Sequence, residues 1–226
     1  MANEPGSVLT YLDAYCERAG EAGLWAEPLN AATNLLFILA ALLSARALWK
    51  LRSGFRADLW ALVIFLFAIG VGSGLWHIFA SHHTMLMDVL PITLFINLYL
   101  ISALRRLLGL SWGKTLLAWA AYFGLGMLAQ VSLPPDLLNG TIMYIPTFLT
   151  LVVLTVAVAH VQPAVGHVFG RVLLVWCLSL TFRTVDREIC EIFPWGTHFL
   201  WHTLNAWVLW RLLGVLIDRA RYAPAH

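Results

Sequence analysis

The sequence predicts an all-α integral-membrane bundle of seven transmembrane helices, and three observations carry that prediction. The 226-residue chain is 61% hydrophobic and only 12% charged, about half the roughly 25% charged share of soluble domains. Apolar runs of membrane-crossing length recur along the whole chain. The basic residues gather on alternate connections between those runs, as expected of cytoplasmic loops. This composition argues against a soluble enzyme. With a net charge of +2 and no basic stripe interleaved with aromatics, nothing supports a nucleic-acid partner, and lipid is the expected one. A single domain over 1–226 is expected, with 1–28 as an extramembrane N-terminal segment.

Crossing about 30 Å of hydrocarbon takes about 20 residues at about 1.5 Å rise each. The polar, acidic stretch 1–28 lacks a basic n-region and a small-residue cleavage site, so no signal peptide is expected. The first span is read at Leu29 to Trp49, with Asn30 and Asn34 at its start as caps or helix contacts in preference to cavity-lining residues. The second, Leu59 to Ala80, carries Gly70, Gly72 and Gly74 around Ser73. A phosphate-cradling loop would need a following Lys, so close helix packing is the better reading. The third, Thr84 to Leu104, contains Pro91, and the fifth, Thr141 to Val161, contains Pro146. Membrane helices tolerate interior prolines because neighbours satisfy the freed carbonyl. The fourth runs from Thr115 to Leu133 and the sixth from Val168 to Val185. Arg183, Asp186 and Arg187 crowd the end of the sixth, where Arg183 and Asp186 could pair near the boundary and are read as structural. The seventh, Trp195 to Ile217, places Trp195 and Trp201 as interfacial aromatics.

Orientation follows from the 14 Lys and Arg residues. With the N-terminus outside, eleven lie on the inner side: Arg46, Lys50, Arg52, Arg56, Arg105, Arg106, Lys114, Arg171, Arg211, Arg219 and Arg221. Three, Arg18, Arg183 and Arg187, lie outside. The C-terminus is then cytoplasmic, in keeping with an odd number of spans. Cys16 and Cys190 share the outer side and Cys177 lies mid-span. A Cys16–Cys190 bridge in an oxidising compartment competes with two free thiols.

Ionisable groups inside hydrocarbon cost a few kcal/mol or more and need a partner or a function. Here they cluster: Ser73 and His77 at the end of the second span, Asp88 near the start of the third, His198 and His202 at the start of the seventh. Because the second span runs outward and the third and seventh run inward, all five converge on one depth near the outer face. Ser73 and His77 are four residues apart, as are His198 and His202, so each pair shares a helix face at about 6 Å separation. Two histidines so spaced bind one metal ion in HExxH helices. A third, His77, would complete a three-ligand zinc site with an open position, the catalytic rather than the structural arrangement. Such zinc lowers the pKa of water toward ~7, Asp88 could orient or deprotonate that water, and Ser73 could donate to an oxyanion. A Ser73 nucleophile with His77 as base leaves His198 and His202 unexplained. Singly, each residue has a plainer reading: a His or Ser bonded to a neighbouring helix, an Asp facing headgroups. His82 and His83 fall in a turn, while His160, His167 and His226 fall on the opposite side.

At these segments the chain resembles the alkaline ceramidases, seven-helix zinc amidases related to the progestin and adiponectin receptors. GVGSGLWHIFASHHTMLMDVLPI resembles the family's Ser, three residues, His, ten residues, Asp-x-x-Pro segment, and THFLWHTLNAW its His-x-x-Trp-His segment. TFRTVDREIC is similar to its Asp-x-x-x-Cys stretch, and YCE with EPLNAATN to its Cys-Glu and Glu-x-x-Asn-x-x-x-Asn approach to the first helix. The resemblance implies zinc ligands His77, His198 and His202, Asp88 as the base for the attacking water, and Ser73 as the oxyanion donor. It also implies the Cys16–Cys190 bridge and a calcium site before the first helix, with Glu17 and Glu27 at matching positions and Asp13 nearby. Ala14 and Ala19 stand where the family has oxygen-bearing side chains, and a solvated acidic tail is the alternative for these acids.

The expected function is therefore hydrolysis of the amide of ceramide or a similar N-acyl lipid, the substrate entering from the membrane. A receptor of the adiponectin type would need a cytosolic partner, for which the short inner loops offer little surface. A transporter would need polar residues at the midplane and inner half. A retinal pigment is disfavoured because the two lysines, Lys50 and Lys114, fall in loops.

Overall fold

A computed structural model describes residues 12, 14–51 and 56–222. Seven helical stretches among them are long and apolar enough to cross a membrane. The first is broken: α1 (Pro28–Thr33) and α2 (Leu35–Trp49) meet at Asn34. The others are α3 (Ala57–Phe79), α4 (His82–Arg106), α5 (Trp112–Ser132), α6 (Ile145–Val161) behind a 3₁₀ turn at Thr141–Tyr144, α7 (Pro163–Val185) and α8 (His198–Tyr222). Pro146 therefore sits in the first turn of α6 rather than inside a helix, where a missing N–H costs nothing. Pro91 is the interior one.

The bundle is apolar outside and partly polar within. Leu117, Val153 and Leu174 are each about 70% exposed, on α5, α6 and α7. A surface of this kind is a liability in water and the ordinary state against lipid. Helix α3 packs between α2 and α4, and α8 between α2 and α7, around a core that includes Leu59, Leu66, Phe95, Val172 and Leu213. Gly72 lies where α3 meets α4: a Cβ there would overlap the Met87 carbonyl, so only glycine permits this approach. The glycines of this helix thus serve packing. At the far end, Arg106 grips Asp58 through two bonds of 2.8 and 2.7 Å, tying the start of α3 to the end of α4.

The last helix begins at His198, three residues later than the sequence suggests. Pro194 cannot continue a helix outward from it, and Gly196 adopts φ +62° with its Cα against the Asp186 carboxyl. Asp186 is fully buried and accepts from the backbone N–H groups of Thr197 (2.6 Å) and His198 (2.9 Å). A carboxylate here satisfies the unpaired donors of the first turn and complements the helix dipole. Arg183 and Asp186 do not pair with one another: Asp186 caps α8, while Arg183 stacks over Tyr144 and Trp201. Trp201 is likewise buried rather than interfacial, its indole stacked on His198 at 5.0 Å between ring centroids. Trp195 is half-exposed.

Candidate metal centre

Helix α3 ends, and α4 and α8 begin, at one end of the bundle. That shared level brings His77 together with His198 and His202. All three are buried, and each offers a ligand atom within 4.8 Å of the others. Among the described residues this is the one such group of three or more His, Cys, Asp or Glu.

The hydrogen-bond partners of the rings decide what they can hold. His77 Nδ1 lies 2.5 Å from Glu27 Oε2. A carboxylate only accepts, so Nδ1 carries the proton and Nε2 presents a lone pair. His202 Nδ1 lies 3.1 Å from the Thr33 hydroxyl, and its Nε2 faces His77 Nε2 at 3.2 Å. The Thr33 hydroxyl donates its proton to the Leu29 carbonyl at 2.8 Å, so His202 Nδ1 is the donor to it, and the two facing Nε2 lone pairs repel unless a cation lies between them. Imidazole nitrogens held at about 2.0–2.1 Å by a tetrahedral ion stand about 3.3 Å apart. His198 Nδ1 is buried with no hydrogen-bond partner, an orphan that an ion or its shell would satisfy. The donor set fits a metal ion, with Glu27 and Thr33 as the outer partners that fix ring orientation and tautomer.

Asp88 and Ser73 lie beside this trio. The contact of Gly72 with the α4 backbone at Met87 and Asp88 sets the Asp88 carboxylate against the Ser73 hydroxyl and within electrostatic reach of His77. Ser73 is 2% exposed, and Asp88 Oδ1 is buried without a partner. Below Ser73 an apolar cavity of about 100 Å³ runs between α3, α4, α6 and α8, lined by Tyr144, Trp201, Phe95, Leu154 and Leu212 among others. The polar cluster thus sits at one end of a greasy chamber.

The N-terminal segment closes the site from above. Cys16 and Cys190 form a disulfide, and the Cys16 N–H donates to Asp186 at 3.2 Å. The Tyr15 ring lies 3.9 Å from that of His198, and burial pushes its hydroxyl up to about 12. His82 and His83 begin α4 and are exposed.

Of the acids in the calcium site implied by resemblance, Glu17 and Glu27 are already engaged in hydrogen bonds. Both oxygens of Glu27 are taken, Oε1 by Arg18 (2.6 Å) and Oε2 by His77 and Asn30. Burial alone would favour the neutral acid at Glu27, but hydrogen bonds from His77, Asn30 and Arg18 outweigh it and hold the carboxyl below its ordinary value. Both oxygens of Glu17 accept backbone N–H groups of the first turn of α1, from Leu29 (2.7 Å) and Asn30 (2.8 Å). Burial nonetheless raises Glu17. Asp13 lies outside the described residues. Calcium needs about six to eight oxygens, and each carboxylate oxygen of Glu17 and Glu27 already accepts at least one hydrogen bond.

The roles of three residues escape a reading of the sequence. Glu27 is the partner of His77, Thr33 that of His202, and Asp186 holds the N-terminus of the helix that carries two of the histidines. A signal existed for one partner of this network: an arginine on the side that positive charge avoids, Arg18, calls for a buried acid to receive it. No protein-family model matches this chain, and neither does any curated protein.

Proposed function

We propose that this protein is a zinc-dependent membrane amidase of the alkaline ceramidase type, cleaving the amide of ceramide or a similar long-chain N-acyl lipid. The observation that supports this reading best is the convergence of three buried imidazoles beside Asp88 and Ser73 at the head of an apolar cavity. His77, His198 and His202 would hold the ion. When bound, zinc polarises an amide carbonyl and makes water nucleophilic at neutral pH.

The chain's own groups do the rest. The acyl chain lies in the cavity, which brings its carbonyl to the level of Ser73. Asp88, whose Oδ1 is uncommitted, takes a proton from the attacking water as its oxygen joins the carbonyl carbon. Ser73 donates to the oxyanion that forms. The C–N bond then breaks, and the proton held on Asp88 passes to the departing amine, leaving fatty acid and free base. The excess of Lys and Arg at the other end supports a site near the external or lumenal face, where a lipid enters sideways from the bilayer.

The test is purified protein assayed for bound metal and for fatty acid released from a panel of N-acyl lipids. One zinc per chain and turnover of at least one long-chain amide are expected, with both lost on His77→Ala, His198→Ala or His202→Ala. Full hydrolysis by zinc-free protein sinks the proposal. A zinc-loaded protein that turns over no amide favours a receptor of the adiponectin type.

A further inference from the structure

Arg18 is 1% exposed, the largest fully buried side chain among the described residues. Its guanidinium sits at the centre of a cage of oxygens. Nε donates to Glu27 Oε1 at 2.6 Å, one terminal nitrogen to the carbonyls of Glu21 (3.3 Å) and Gly23 (3.2 Å), and the other to the carbonyl of His77 (3.0 Å). A carboxylate and three carbonyls turned on one point are what a hard cation asks for. Here a covalently attached one fills the place. The cage is coupled to the candidate metal centre twice: through the His77 carbonyl, and through Glu27, whose other oxygen fixes the His77 ring at 2.5 Å.

We propose that the Arg18 guanidinium is a built-in cation standing in for a second metal ion, so that Glu27 orients His77 without calcium. This inference rests on the reading of His77 as a metal ligand. Arg18 is a positioning residue: it touches neither substrate nor the ion, and acts through Glu27. A planar fork of five donors can serve four acceptors in several directions at once, whereas a lysine ammonium has three donors and no fork. Removing the arginine leaves Glu27 buried without its counter-charge, free to turn from the ring it holds. Loss of a carboxylate partner of this type typically lowers metal affinity by roughly 10- to 100-fold.

The experiment measures zinc affinity and thermal stability of the full-length detergent-solubilised protein, the parent beside Arg18→Ala and Arg18→Lys. The parent is expected to give the same values with calcium added or chelated. Arg18→Ala should bind zinc roughly 10- to 100-fold more weakly, with Arg18→Lys between the two. Millimolar guanidinium ion, or calcium entering the vacated cage, should restore much of the loss in Arg18→Ala. A parent that weakens when calcium is chelated overturns the proposal, as does an Arg18→Ala protein that binds zinc like the parent. A loss that neither guanidinium nor calcium reverses assigns Arg18 to folding alone and overturns it too. Should the parent hold no zinc, the amidase reading fails by itself, and the cage is still judged by melting temperature: indifferent to calcium in the parent, lowered in Arg18→Ala and raised again by either cation.

Discussion

Asp88 presents a buried carboxylate oxygen with no partner, beside Ser73, which is 2% exposed. Groups of this kind weaken a fold unless something else recruits them, so the chemistry assigned to them can be separated from structure. Asp88→Asn keeps the shape and removes the base. It is expected to retain zinc while losing roughly 10²- to 10⁴-fold in kcat, read by elemental analysis beside fatty-acid release. Ser73→Ala should cost roughly 10²- to 10³-fold in kcat with little change in KM, because an oxyanion donor acts mainly in the transition state. Equal activity in either variant would strip that residue of its role. The histidine trio was legible in the sequence because helical spacing and span direction alone put three imidazoles at one depth. Glu27 was legible only as an acid. Its partner is 50 residues away, and no periodicity links a loop carboxylate to a helix that distant.

Span existence followed from apolar run length, whereas span ends are set by tertiary contacts that run length does not encode. The seventh starts at His198 because Asp186, 12 residues upstream, supplies its first turn with acceptors. The first breaks at Asn34, whose side chain bonds back to the Asn30 carbonyl at 2.7 Å. Helix approach matters to the site as much as helix ends. At Gly72 the α3 and α4 backbones are so close that Gly72→Ala must push α4 outward, carrying Asp88 away from Ser73. That variant is expected to keep zinc, whose ligands lie on α3 and α8, and to lose hydrolysis; unchanged turnover would show that the α3–α4 approach does not set the reacting geometry. The Cys16–Cys190 bridge joins residues 174 apart and anchors the segment that carries Arg18. Closing so long a loop contributes about 2–4 kcal/mol in most proteins, so Cys16→Ser with Cys190→Ser should melt earlier and release zinc at a lower chelator concentration.

At the scale of the whole molecule, the three histidines, Asp88 and Ser73 are gathered at one end of the chamber, and its opposite end is closed with largely apolar side chains. The Tyr99 hydroxyl seals that floor, donating to the Leu212 carbonyl at 3.3 Å. Along α6, the wall from Tyr144 to Leu154 covers roughly 15 Å at the helical rise. If an acyl chain occupies this chamber, its length is read by distance from the polar end, and the floor sets the limit. Leu154→Trp adds bulk at that floor, far from Ser73 and the histidines. The variant should turn over short-chain amides with a kcat close to that of the parent and fail progressively as the chain lengthens, mainly through a rising KM. Overpacking at a buried wall costs about 1–3 kcal/mol, so a variant that folds and binds zinc normally gives a clean comparison, and kcat/KM across a series of acyl lengths is the measurement. A uniform loss at every length would mean that the chamber does not hold the acyl chain, since a blocked floor can discriminate only among chains long enough to reach it.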